Sequence, residues 1–204
     1  MTPKIIDKEI KKMEISSAAI KIFINKGISN TSISEIAREA GIGKGTVYEY
    51  FSSKDELAIF AASSWINLLE QTSYDSVNKS DTPDKQLKDL FKHTTSNFIK
   101  HPEIISFFIE LIGYLQKNMH QNKHLQLIKR IGAPVRKHIV DILQYGIDKK
   151  FFREEIAKDL EKTAINLVAF VDGLGLQYVS DPQFFNLDIQ INCFLDYFLN
   201  SIRK

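Results

Sequence analysis

The segment from Gly41 to Phe51, GIGKGTVYEYF, constrains the fold more tightly than any other part of the chain. It is a small-residue turn running into a short helix that ends in two aromatics. Gly41 permits the positive φ that a tight turn between helices needs, and Ile42 can drop its side chain between them. At about 100° per residue, Val47 and Phe51 share the inward side of the helix that follows. Gly45, Tyr48, Glu49 and Ser52 are left on the opposite side, which is polar, narrow and partly bare of side chains. Such a helix is built to be read from outside, as in the recognition end of a helix-turn-helix.

The preceding segment supplies a supporting helix, because Ile33, Ile36, Ala37 and Ala40 recur at the spacing of one buried stripe. Ser32 with Glu35 has the form of a capping box, in which each side chain satisfies a backbone N–H of the first turn. Ser53 with Glu56 repeats the device, so a third helix is predicted to begin near Lys54. Upstream, Ile15, Ala18, Ala19, Ile22 and Phe23 form another stripe, and Gly27 stands where a helix C-terminus favours glycine. These pieces imply a compact tri-helical unit.

The stretches AAIKIFINKG and TSISEIAREAGIGKGTVYEYFSSKDEL resemble the N-terminal signature of the tetracycline-repressor (TetR) family of transcriptional regulators, without a gap from Ile15 to Leu57. The resemblance implies an all-α protein: a helix-turn-helix DNA-binding domain at residues 1–53, then a larger helical ligand-binding and dimerisation domain at 54–204. It assigns Ser32 to a phosphate, Lys44, Gly45, Thr46, Tyr48 and Glu49 to the major groove, and Tyr50 and Lys54 to the DNA backbone. Lys44 has the chemistry for guanine O6 and N7 or for a phosphate alone. Glu49 has the chemistry to accept from cytosine N4, or serves only to repel wrong sites or pair with a cation. Gly43 departs from the serine or threonine frequent at that turn position, which removes a hydroxyl that binds phosphate.

Charge sets limits on how DNA would be held. The net charge is only +2, so affinity must come from a few placed charges and from dimerisation, not from bulk attraction. A two-fold dimer offers its recognition helices to successive major grooves about 34 to 36 Å apart, or a multiple of that, so the expected operator is an inverted repeat.

Beyond Leu57 the pattern is helical throughout. Helices are predicted over Lys54 to Val77, Asp84 to Lys100 and Glu103 to Asn118, and from Lys123 to Lys149 with a kink or break at Gly132 and Pro134. Leu160, Ala164, Leu167, Val168, Val171, Gly175 and Tyr178 make one stripe, while Ile165, Ala169, Phe170 and Leu176 lie largely off it. A helix apolar on two sides is buried on two sides. The final helix carries Leu187, Ile191, Phe194, Leu195, Phe198 and Ile202, with Cys193 and Tyr197 beside them. One side of this pair covers its own core and the other pairs with a twin, unless both stripes are internal core.

The resemblance also implies a small-molecule effector, lipophilic and of unknown identity, among the middle helices. Trp65, Phe91, Phe98, Phe107, Phe108, Leu111, Tyr114 and Ile142 are candidates for its pocket and suit an ordinary core equally well. Glu110, the one acid within IISFFIELIGYL, either faces a cationic ligand or faces solvent. No cofactor and no metal site is expected: His120 and His124 are four apart but lack a nearby cysteine or second acidic ligand. Cys193 reads as a buried, inert thiol. No nucleophile elbow, phosphate loop or paired-carboxylate constellation suggests an enzyme. The N-terminus lacks a signal-peptide h-region and no window approaches a membrane span, so a cytoplasmic location is expected.

Overall fold

A computed structural model describes residues 8–118 and 133–204. Nine α-helices and no multi-residue strand are present among the described residues: α1 (Lys8–Lys26), α2 (Ile33–Glu39), α3 (Lys44–Tyr50), α4 (Lys54–Ser76), α5 (Pro83–Lys100), α6 (Pro102–Asn118), α7 (Ala133–Asp148), α8 (Leu160–Ser180) and α9 (Leu187–Ile202). The protein is all-α, with the helix-turn-helix first, as the residue pattern requires.

Packing divides the chain into two units, one within Met1–Ile66 and Ser106–Ile131, the other within Asn67–Ile105 and Gly132–Lys204. In the first, Ile15, Ala19 and Phe23 of α1 meet Ile33, Ile36 and Ala37 of α2, Val47 of α3 and Phe51. Leu57, Ala58 and Ala62 of α4 and Phe107, Leu111 and Leu115 of α6 complete that core. Phe23 and Phe107 stack with ring centroids 6.1 Å apart. Removing a side chain of this size from water is worth about 1.5 to 3 kcal/mol, so α6 is structural to the unit that carries the helix-turn-helix.

The second unit is built on Leu87, Leu90 and Phe91 of α5, Ile139, Ile142 and Leu143 of α7, and the inward stripes of α8 and α9. Phe170 of α8 stacks on Phe194 of α9 at 3.9 Å between centroids. The end of the chain is tied down by backbone bonds, Arg153 N–H to the Ile202 carbonyl at 2.9 Å and Lys204 N–H to the Phe151 carbonyl at 3.1 Å.

Several expectations need correction. Ser53 does cap α4 by accepting the Glu56 N–H at 3.1 Å, but the Glu56 carboxylate turns back to Ser52, taking its N–H at 2.7 Å and its hydroxyl at 2.6 Å. The box is thus offset by one residue. Hydrogen bonds from the Ser52 hydroxyl, then from its backbone, lower the Glu56 pKa. Prolines open α5 and α6 at Pro83 and Pro102, one residue before the predicted starts, because a first-turn position needs no N–H. Pro134 likewise lies in the first turn of α7, while Gly132, His120 and His124 lie outside the described residues. The six-residue 3-10 helix Glu154–Asp159 had no periodic signal. Cys193 is exposed: two residues past buried Ile191, it is rotated by about 200° to the other side of α9.

Candidate nucleic-acid interface

The turn between α2 and α3 is a Schellman motif. Ile42 N–H reaches the Ala37 carbonyl at 2.9 Å and Gly41 N–H the Arg38 carbonyl at 3.2 Å, with Gly41 at φ +65°. These bonds satisfy the last carbonyls of α2 and turn the chain sharply into α3. Ile42 packs partly buried against the first-unit core. α3 then starts at Gly43, an N-cap with φ −73° and ψ 149° that has no side chain to offer.

Along α3, Val47 is fully buried and Phe51, just past its end, nearly so, which anchors the helix from below. Lys44, Gly45, Tyr48 and Glu49 are exposed, with Thr46 and Tyr50 half-buried. The space around the missing Gly45 side chain is open, so the backbone there is bare to an approaching surface. The Lys44 ammonium lies 6.0 Å from the Tyr48 ring centroid, holding both side chains on one outward stripe. Glu49 has no ion-pair partner among the described residues.

The start of α2 is heavily braced. The Ser32 hydroxyl accepts the Glu35 N–H at 3.3 Å, and the Glu35 carboxylate accepts the Ser32 N–H at 2.9 Å. Lys26, at the end of α1, donates to the same carboxylate. That bond first, then those from Ser32, hold the Glu35 pKa down to about 2. The capping box was legible in sequence; the Lys26 partner, nine residues upstream, was not.

Lys54 is placed differently from a residue that simply faces outward. Its ammonium donates to three carbonyls of the α1–α2 loop, those of Ile28 at 2.6 Å, Ser29 at 3.3 Å and Thr31 at 2.9 Å. It also sits 5.6 Å from the Tyr114 ring centroid, whose hydroxyl donates to Asp55 at 2.7 Å. Burial first, then this carboxylate, pushes the Tyr114 pKa up to about 12. Glu110 accepts the Ile28 N–H at 2.5 Å.

The effector candidates divide between the units. Trp65, Phe107, Phe108, Glu110, Leu111 and Tyr114 belong to the first, where Phe107 and Leu111 are fully buried core. Phe91, Phe98 and Ile142 belong to the second. There a cavity of about 300 Å³ is lined by Val77, Lys79, Gln86, Leu90, His138, Asp141, Ile142 and Tyr145, so of the nine candidates Ile142 faces it. Among the described residues no group of three or more potential metal ligands occurs, and no helix is long and apolar enough to cross a membrane.

A short exposed helix set on a buried anchor, delivered by a glycine turn from a braced supporting helix, is the reading head of a DNA-binding helix-turn-helix regulator. Residues 15–59 match the family model for bacterial regulatory proteins of the tetR family. Similar proteins include the HTH-type transcriptional regulator PksA of Bacillus subtilis, 28% identical over 193 residues covering 91% of this chain and 87% of that protein. The HTH-type transcriptional repressor KstR2 of Mycobacterium tuberculosis is 24% identical over 150 residues, 74% of this chain and 73% of its own. The fold is shared by FadR of Bacillus subtilis, solved in complex with stearoyl-CoA, at a TM-score of 0.74 and 19% identity over 94% of this chain and 99% of that one. Residues 15–59 thus carry the DNA-binding domain of the tetR family, and the relatives that match most of the chain are transcriptional regulators.

Proposed function

We propose that the protein is a dimeric repressor that reads an inverted-repeat operator with α3 and is released by a small lipophilic effector, acting in the cytoplasm where the DNA is. The observation that carries this reading is the α3 surface: Lys44, Gly45, Tyr48 and Glu49 are exposed together above buried Val47. Lys44 and Glu49 supply a donor and an acceptor for base edges, and Gly45 allows close approach. Thr46 meets a thymine methyl or a phosphate, while Tyr50 and Ser32, whose hydroxyl must first leave the Glu35 carboxylate it donates to at 2.9 Å, hold the DNA backbone.

Dimerisation is supported by the outer faces of α8 and α9. Ile165, Leu176, Ile189 and Tyr197 are 51%, 49%, 66% and 74% exposed, an apolar set that a second copy would cover. An effector is supported by the second-unit cavity, at the small end of the roughly 300 to 1,000 Å³ typical of ligand sites. FadR, which has the same fold, holds an acyl-CoA. Repression is released only if the effector binds the DNA-incompetent state more tightly than the competent one.

The test is selection of the full-length protein on a random DNA pool, followed by affinity measurements with competitor DNA. An enriched inverted repeat, bound two copies to a site and weakened by Lys44→Ala or Tyr48→Ala at unchanged thermal stability, is expected. An unenriched pool, or an enriched half-site bound by one copy, would overturn it. Native mass spectrometry of the purified protein then seeks the co-purified effector.

A further inference from the structure

The loop Gly27 to Thr31 joins α1 to α2, and its polar groups are satisfied from two sides. Within the loop, Thr31 donates its hydroxyl to the Gly27 carbonyl at 2.6 Å and its N–H to the Ile28 carbonyl at 3.3 Å. From α4, Lys54 takes the carbonyls of Ile28, Ser29 and Thr31. From α6, Glu110 takes the Ile28 N–H. The two helices thus grip one peptide segment by its opposite polarities, cation on the carbonyls and carboxylate on the amide.

An ammonium has three N–H donors and no acceptor. All three Lys54 contacts go to loop carbonyls, which leaves none directed at a phosphate. Lys54 also stands at the first position of α4, where the helix dipole disfavours a cation, and the three carbonyls are what make that position tenable. Gly27 shows how closely the carboxylate is seated: a Cβ there would lie 2.7 Å from Glu110 Oε1.

The geometry points to Lys54 and Glu110 as a pair of positioning residues for DNA recognition, which fix the α1–α2 loop and through it the setting of α2 and α3, without touching DNA themselves. This rests on the proposed docking of α3 on DNA, and it removes Lys54 from the backbone contacts and Glu110 from the effector pocket. The loop leads directly into Ser32 and the α2 cap, so a loop released from either grip lets α2, and α3 behind its Schellman turn, move relative to α1.

Two measurements test the pair separately from the functional reading. The first needs no DNA: hydrogen exchange at the Ile28 amide in the full-length protein. Exchange should accelerate in Glu110→Ala and return close to the wild-type rate in Glu110→Gln, whose amide oxygen still accepts. Unchanged exchange in Glu110→Ala overturns the assignment, as does Glu110→Gln exchanging as fast as Glu110→Ala.

The second is the salt dependence of binding to the selected duplex and to mixed-sequence duplex DNA. A lost phosphate contact lowers the slope of log K against log salt by about 0.9 per contact, hence by nearly two for a dimer. Lys54→Ala should weaken selected-duplex binding about tenfold with the slope unchanged. A slope reduced by one or more on either DNA makes Lys54 a direct phosphate contact and sinks the proposal. Failure of the wild type to bind any duplex instead refutes the functional reading, and the exchange result still decides the Glu110 grip on the loop.

Discussion

Two glycines with left-handed backbones separate a conformational cost from a contact cost. Gly41 has φ +65° with nothing within 4 Å of the Cβ that alanine would add, whereas Gly27 has φ +80° with the Glu110 carboxylate 2.7 Å away. Left-handed backbone costs an L-residue roughly 1 to 2 kcal/mol. The stiffer unfolded chain returns about 0.4 to 1 kcal/mol. Gly41→Ala should therefore destabilise by about 1 kcal/mol net. Gly27→Ala carries the same cost and also displaces Glu110. The carboxylate is the far end of a flexible side chain, so the clash relaxes, but the Ile28 N–H loses its acceptor. A hydrogen bond to a charged group contributes about 1.5 to 3 kcal/mol, and partial exposure here places it at the lower end. The expected cost of Gly27→Ala is about 2.5 kcal/mol. In a Glu110→Ala background it should fall to about 1 kcal/mol, a coupling of about 1.5 kcal/mol. Urea unfolding followed by Trp65, the single tryptophan, reports on the unit to which both residues belong. Equal costs at Gly27 and Gly41, or a Gly27 cost undiminished without Glu110, would refute the reasoning.

Other consequences are smaller but direct. The Glu35 pKa is depressed from 4.5 to about 2, so the stability it adds is complete above about pH 4.5 and is lost as pH falls toward 2. The difference in unfolding midpoint between wild type and Glu35→Gln should shrink across that window, and a difference independent of pH would contradict the Lys26 and Ser32 assignments. Gly43 sits at negative φ, and an added Cβ meets only Thr46 Oγ1 at 3.8 Å. Gly43→Ser should stabilise α3 by a few tenths of a kcal/mol through an N-cap hydroxyl; thermal melting that shows a loss instead would mean the backbone there is not what it seems.

The helices and their buried faces were legible because periodicity depends on local sequence. Ile33, Ile36, Val47 and Phe51 are buried where the 3.6-residue repeat placed them, and Gly27 and Gly41 carry the positive φ that their positions demanded. What could not be read depends on long-range meeting of side chains. Glu110 finds an amide 82 positions away, and Lys54 turns to carbonyls more than twenty positions upstream. No periodic or capping rule encodes such a partner. Cys193 was misjudged for a related reason: it is apolar by composition but lies off the buried repeat, on the face shared with exposed Ile189 and Tyr197. The effector candidates were chosen as aromatics on the middle helices, and aromaticity does not distinguish a cavity wall from the packed ring of Phe107.

Two of the three boundaries between the units, at residues 66/67 and 105/106, fall inside α4 and inside α6, and the third, at 131/132, lies outside the described residues. At the first two the chain passes from one unit to the other with its helical hydrogen bonding unbroken, so neither offers a splice point in a loop. Anyone transplanting this reading head onto the body of another regulator must join two helices in phase. A single extra residue at either junction would advance everything beyond it by 1.5 Å and turn it by about 100°.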